Sequence, residues 1–414
     1  MNTTVAVTLD NCDREPIHIP GHIQPHGALF AFDAAGVLIY RSANAGELLR
    51  GHLPALGEML TAAHFDAYAG IHELLAAVRA SDDGEVIPHA MEVRDGDKAF
   101  DVVAHPAAGG VVCEFEDSSQ AVAVPPGFSF ISHRATEKLK RQQSVDGLLA
   151  MAVEEVRRMT GFDRVMAYRF RHDESGDVVA ESCDASLDPF VGRRYPASDI
   201  PAQARRLYII NTLRLIADVG AQPVPVQAAA QVTAPLDMSH GVLRSVSPVH
   251  IEYLTNMGVG ASMSVSIVIG GKLWGMLACH HMQPRRLAYT VRMACDMLAQ
   301  ILASNLQGLL ARDRAAQADE AASLRSRLVE KVLHADDVLL GLTSEAAALC
   351  EGFEAQAAVV SYGTRMEVFG DLTLTAGQAV VDWLNEGKVV AGRMIHRDTL
   401  PAPLPVQLDP WCGL

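Results

Sequence analysis

The chain has 414 residues, 49% of them hydrophobic and 6% aromatic, enough apolar material for the cores of two to three domains. A net charge of −15 excludes nucleic acid as an expected partner, because phosphate binding needs clustered Lys and Arg. No apolar run reaches the ~18 residues of a membrane span, the first ten residues lack the basic flank and apolar core of a signal peptide, and seven irregularly spaced cysteines fit a reducing, cytoplasmic setting better than a disulfide framework.

Cys12 lies in a polar leader. The stretch Pro16-Ile17-His18-Ile19-Pro20-Gly21-His22-Ile23-Gln24-Pro25-His26-Gly27 packs three prolines and three histidines into twelve residues. The prolines make it extended, and they spoil any helical face on which His18, His22 and His26 could share a metal. A small α+β domain follows. Ala28 to Phe32 and Val37 to Tyr40 read as strands around a turn at Asp33 to Gly36. Helical periods run through Ala43 to Leu49 and Ala67 to Ala80, and Ala99 to Ala104 with Gly110 to Glu116 reads as a closing antiparallel pair. Pro125-Pro126, within Val122 to Gly127, marks a boundary.

Next comes a helix, Val145 to Thr160, capped by Ser144 and stopped by Gly161. Strands are expected at Arg164 to Phe170 and Val178 to Cys183. Ala261 to Ile269 and Lys272 to His280 form a hairpin, since Gly270-Gly271 suits a two-residue primed turn. Between them lies Tyr195-Pro196-Ala197-Ser198-Asp199-Ile200-Pro201. Two prolines fix φ on either side of one acid, and an amphipathic run, Ala202 to Leu215, follows. A helix N-cap needs only the acid; this motif is longer. Ser262 and Ser264 alternate with Met263 and Val265, so both face one side of the sheet, where a polar ligand or water must answer them. Asp218 to Pro248 is a loop long enough to be functional. From Thr290 to His334 there is no proline and one glycine, Gly308, which predicts either one long helix or two joined there. Ala357 to Tyr362, Arg365 to Phe369 and a helix over Ala376 to Leu384 begin a further α+β fold.

The Asp199 loop and the segment Ile19-Pro20-Gly21-His22-Ile23-Gln24-Pro25-His26-Gly27 together resemble the phytochromes, red-light sensors that hold a linear tetrapyrrole, a bilin. The resemblance covers nearly the whole chain. It implies an α+β architecture: a leader (1–27), a PAS domain (28–125), a GAF domain (128–310), a connecting helix (290–334) and a partial GAF-like PHY domain (335–414). Both central sheets are then antiparallel, and the leader passes through the 218–248 loop as a figure-of-eight knot with Ile23 inside. The resemblance also implies the bilin site. Cys12 is the thiol that adds to the ring A vinyl group. Asp199, with Ile200 and Pro201, turns its backbone carbonyl to the pyrrole nitrogens and takes part in the light-driven switch. His250 stacks over the pyrroles. Tyr208, Arg214 and Arg244 lie near one propionate, and Ser247, Ser262 and Ser264 near the other. His280 bonds the ring D carbonyl, and Tyr168, Tyr195 and Tyr253 cage that ring.

Two departures bear on this. Tyr195 stands where many relatives have Phe. Val249 stands where plant phytochromes carry their bilin cysteine, which leaves attachment to Cys12, as in bacterial phytochromes, and implies biliverdin IX-alpha as the pigment. The expected role is that of a photosensor and not an enzyme, with a parallel homodimer through GAF and helix surfaces, and no nucleic acid or membrane partner. No PHY tongue arm or kinase module is matched, so the chain reads as part of a longer protein whose output module or response regulator, commonly with a histidine kinase, lies elsewhere. The competing readings are a non-photochemical GAF module for a cyclic nucleotide or haem, and a Cys-His hydrolase using Cys279 or Cys183, neither of which has a flanking oxyanion or elbow motif.

Overall fold

A computed structural model describes residues 14–81, 86–107 and 109–386. The chain divides into two compact units, Met1–Leu309 and Leu310–Leu414. In the first, β1 (His22–Ile23), β2 (Gly27–Phe32), β3 (Leu38–Ser42), β4 (His89–Asp95), β5 (Lys98–Ala107) and β6 (Gly110–Asp117) join a seven-stranded sheet. Helices α1 (Ala45–Leu48) and α2 (Ile71–Ala80) come between β3 and β4. Its seventh strand, Val224–Ala228, comes from far along the chain and pairs antiparallel between β1 and β3.

β2 is buried along its whole length because its alternating residues enter two cores. Ala28, Phe30 and Phe32 pack with Phe65, Phe100, Phe115 and the buried stripe of α2. Leu29 and Ala31 face the opposite way, onto Ile23, Met238 and Leu243. That second core is made by the long loop. The leader is held along both arms of this loop. Met238 N–H donates to His18 O at 2.8 Å, Val226 N–H to Gly21 O at 2.8 Å, and Ser245 N–H to His22 O at 3.1 Å. The Gln24 amide donates to Leu215 O at 2.9 Å and accepts from Ala217 N–H at 3.1 Å. Ile23 is fully buried within this ring of partners. Glu114 on β6 completes the clasp by accepting from Val242 N–H at 2.8 Å and Leu243 N–H at 2.9 Å. Gly27 has to be glycine, since a Cβ there would stand 2.5 Å from both the Leu243 side chain and Phe115 O.

The second sheet follows α3 (Phe128–Lys140) and α4 (Val145–Thr160). Ser144 Oγ accepts from Gly147 N–H, and Gly161 at φ 65° ends α4, so both sequence signals act as caps. β7 (Arg164–Phe170), β8 (Gly176–Cys183) and β9 (Arg194–Tyr195) lead to α5 (Ala202–Ile210). The amphipathic run expected to reach Leu215 breaks at Asn211, and β10 (Leu213–Ile216) is a strand instead. β11 is Val224–Ala228, already placed in the first sheet; α6 is Pro248–Asn256. β12 (Ala261–Ile269) and β13 (Lys272–His281) form the expected hairpin, with Gly270 and Gly271 at φ 58° and 74°. The strand order is β10-β12-β13-β7-β8-β9.

α7 (Tyr289–His334) runs 46 residues without a break at Gly308. Val291, Cys295, Leu298, Leu302, Leu306 and Leu309 form its buried stripe. The second unit adds α8 (Val338–Thr343), α9 (Ala346–Gly352), the hairpin β14 (Ala357–Tyr362) and β15 (Arg365–Gly370), and α10 (Leu374–Glu386). Among the described residues no helix is long and apolar enough to cross a membrane.

Candidate ligand-binding site

Register places the site before any side chain is considered. Residues directly opposite in an antiparallel sheet share a face. Ser264 on β12 lies opposite Arg214 on β10 and Ala278 on β13, and Ala278 opposite Met166 on β7. Ser262 lies opposite His280, and His280 opposite Arg164. Ser266 lies opposite Met276, and Met276 opposite Tyr168. One face therefore carries three serine hydroxyls, the Tyr168 phenol, an imidazole and two guanidiniums among apolar side chains.

That face is walled by aromatic rings. Met166, Tyr168, Val178 and Met276 pack with Phe170, Phe190, Tyr195, Ile200 and Tyr208. Tyr168 lies 6.1 Å from Tyr195 and 5.3 Å from Phe170 between ring centroids. Its position depends on Gly176, where a Cβ would come within 2.1 Å of the Tyr168 ring. On α6, His250 and Tyr253 stand one turn apart with rings 6.1 Å apart and 12° from parallel.

Over this cluster sits the Asp199 loop. Pro196 and Pro201 hold φ at −68° each, and between them Ala197–Asp199 makes a single 3₁₀ turn closed by Asp199 N–H to Pro196 O at 3.1 Å. The loop is pinned by Arg205, one turn into α5. Its guanidinium donates to Ile200 O at 2.7 Å, Ala197 O at 3.1 Å and Glu174 O at 2.7 Å, and lies over the Phe170 ring at 4.9 Å. Sequence reading missed Arg205; an Arg four residues after Pro201 was the available signal. Partial burial lifts the Asp199 carboxyl above its usual range. Burial first, and then Asp199 and Tyr195, push the Tyr253 hydroxyl up to about 12. Both imidazoles are kept neutral. Burial and then Arg214 bring His250 down to about 4, and burial, Arg164 and His250 do the same for His280.

Two buried cations meet at the other end. Arg214 donates to Arg244 O and to Ser245 O at 3.0 Å, and Arg244 donates to Ile17 O at 2.9 Å. Arg214 Nη1 and Arg244 Nε are buried and lack a hydrogen-bond partner. Burial and then the neighbouring Arg244 lower the Arg214 pKa. Two adjacent buried cations with open donors make a site for carboxylates. Ser266, which the sequence reading passed over, also has a buried, unpartnered hydroxyl on this face. Ser247 is engaged otherwise, donating to Glu15. Cys12 lies outside the described residues. Cys279 is fully buried, and its thiol is raised well above its usual value, so it offers no nucleophile.

The GAF domain family matches residues 144–306, and a PAS-fold family matches residues 12–118. A bacteriophytochrome of Pseudomonas aeruginosa is 40% identical over 383 residues, covering 92% of this chain and 52% of that protein. Cyanobacterial phytochrome B of Nostoc is 35% identical, with 92% and 51% covered. The wild-type phytochrome photosensory core module of Stigmatella aurantiaca superposes with a TM-score of 0.75 at 37% identity, covering 96% of this chain and 79% of that one.

The chain belongs to the phytochrome family.

It spans about half the length of the curated phytochromes it matches. Within this phytochrome, the structure gathers Tyr168, Tyr195, Ile200 and Tyr208 into one cluster, with Asp199, His250 and Tyr253 as electrostatic neighbours. It sets Ser262, Ser264 and His280 on the adjoining sheet face. Pro201 shapes the loop and caps α5. The structure adds Glu181 to the residues the sequence did not single out. This buried acid takes Arg164 Nη1 at 2.6 Å and the N–H groups of Phe190 and Val191 at 2.6 and 3.0 Å, which fixes Arg164 beside His280.

Proposed function

We propose that this chain is the light-sensing part of a red/far-red photoreceptor that carries a bilin, specifically biliverdin, bonded to Cys12. The observation that carries the reading is the pair of buried guanidiniums, Arg214 and Arg244, with unfilled donors beside the aromatic-walled sheet face, which we take as the ligand cleft. Side chains of this kind suit a long conjugated ligand with two carboxylates. When bound, the bilin supplies red-light absorption and isomerisation about its ring D methine. The chain's own residues do the rest. Arg214 and Arg244 clamp carboxylate, with Tyr208 beside them. Ser262, Ser264 and Ser266 offer hydroxyls from the sheet. His250 and His280, neutral at pH 7, accept or arrange hydrogen bonds that favour a cationic ligand. Asp199 is aimed by two prolines and Arg205 and can pass a proton among nearby waters. Ser247, at the start of α6, donates to Glu15 in the leader.

On the same reading the exposed Phe130 on α3 and Met297 on α7 belong to a homodimer contact, and a downstream module of the full-length protein takes the output. The test is one absorption spectrum with biliverdin, before and after red light, followed by zinc-induced fluorescence of the denatured protein. A far-red band that is retained covalently in the parent and lost from the gel in Cys12→Ser is expected. A pigment band that persists in Cys12→Ser overturns the attachment, and no far-red band at all overturns the function in favour of another GAF ligand.

A further inference from the structure

We propose that His52, Glu58 and His64 form a divalent-metal site suited to zinc, on the first sheet's outer loop and sharing no residue with the cleft. One ligand atom from each lies within 4.8 Å of the others. Two imidazoles and one carboxylate are a zinc donor set that leaves an open position for water or a further ligand.

The scaffold is rigid where a ligand site needs it to be. The segment carrying Glu58 is laid along the β2–β3 turn: Leu38 N–H donates to Glu58 O at 2.8 Å, Gly57 N–H to Leu38 O at 2.8 Å, and Leu60 N–H to Gly36 O at 2.9 Å. Phe65 follows His64 at φ 57°, a strained conformation for an aromatic residue, and its ring is locked against Phe30 at 5.1 Å. Phe65 N–H donates to His52 O at 2.8 Å, so the two histidines are tied by backbone and their rings lie 4.6 Å apart.

Two of the donor atoms now face each other in a contact that a metal would replace. Glu58 uses Oε2 for Ala55 N–H at 2.8 Å, leaving Oε1 3.2 Å from His64 Nε2. His64 is 1% exposed, and its buried Nε2 has no aligned hydrogen-bond partner. A plain ion pair would use that nitrogen better. The remaining nitrogen explains how loading works. His64 Nδ1 accepts from Thr61 N–H at 3.0 Å and lies 3.2 Å from Thr61 Oγ1. Metal at Nε2 displaces the ring proton to Nδ1, which then donates to Thr61 Oγ1, while the exposed Thr61 turns its N–H to water. His52 is exposed, so its ring can close the remaining distance. A groove of about 600 Å³ lined by Leu60, Thr61, His72 and Arg79 begins beside the site at Thr61.

The test uses the whole chain, stripped with EDTA, without pigment, and titrated with Zn²⁺ by calorimetry and with Co²⁺ by visible absorption. One equivalent of zinc should bind, Co²⁺ should give the d–d bands of a four-coordinate N/O site, and zinc should raise the melting temperature. Glu58→Gln and His52→Ala should each weaken zinc about a hundredfold and abolish the melting shift. Thr61→Val, which removes the acceptor for Nδ1–H, should cost about tenfold. His18→Ala with His22→Ala should change nothing. Absence of micromolar zinc binding overturns the site, as does binding that survives Glu58→Gln and His52→Ala, which would assign the ion to other histidines. Both variants alter surface side chains, and unchanged melting in EDTA confirms that they fold.

Discussion

Single residues in this fold are held in charge states that their surroundings impose, and two of those states can be read out directly. His280 is buried and neutral, with a folded pKa near 4 against about 6.5 when unfolded. Below pH 6.5 the unfolded chain takes up a proton that the folded one refuses, so stability is full above that pH and is lost as pH falls toward 4. The pigment-free protein should therefore lose about 1.4 kcal/mol per pH unit for this group alone across that window. Urea midpoints of His280→Gln should show a shallower acid limb by one proton; an unchanged slope would mean the imidazole is solvated. Arg214 makes the opposite case. Its charge is buried beside another cation, and such a group destabilises the empty protein while favouring an anionic ligand. Arg214→Met should raise the melting temperature of the pigment-free protein by a few degrees and slow biliverdin uptake at least tenfold. A lower melting temperature with normal uptake would make Arg214 a strut for the Arg244 and Ser245 carbonyls and nothing more.

Elements show which features the sequence can express. The Asp199 loop is stiff because two prolines and one arginine close it from three sides, and only the prolines announce themselves. Arg205→Lys keeps the charge but cannot reach three carbonyls with one ammonium. It should leave pigment bound, speed amide exchange at residues 198–200 by roughly tenfold, and lower the yield of the lit state; unchanged exchange would show the prolines suffice. Legibility follows locality elsewhere too. α4 was readable because Ser144 and Gly161 act within one turn of the ends they cap. The β12–β13 hairpin was readable because Gly270-Gly271 fixes its own register. β10 was not, because Leu213 to Ile216 continues the apolar rhythm of α5 and only pairing with β12 makes it a strand. β11 was less readable still, since its partners β1 and β3 lie some two hundred residues away. The hydroxyls of Ser262 and Ser264 were legible by alternation, but the same alternation extends to Ser266, and only the register against Met276 and Tyr168 shows that it belongs with them.

At the scale of the molecule, the leader and the long loop make one folding unit of residues that match two families. β11 belongs by sequence to the second domain and by hydrogen bonding to the first sheet. Glu114 on β6 clasps Val242 and Leu243, Gln24 bridges Leu215 and Ala217, and Arg292 on α7 pairs with Glu116, which His26 also contacts at 3.3 Å. Burial opposes the charge on Glu116, but Arg292 and His26 outweigh it and hold the acid near 2. Neither sheet can open without exposing the core around Ile23 or uncovering that ion. Separating the two sheets is therefore costly, whereas β14, β15 and α10 contain few buried side chains. Native-state hydrogen exchange should find β2, β6, β12 and β13 opening with one common free energy, above that of β14 and β15. Ile23→Ala removes the side chain at the centre of the threaded segment, and should lower all four strands together by about 2–5 kcal/mol. If β2 and β6 fall while β12 and β13 hold their protection, the two domains are separate foldons that merely touch, and the threading carries no coupling between the leader and the cleft.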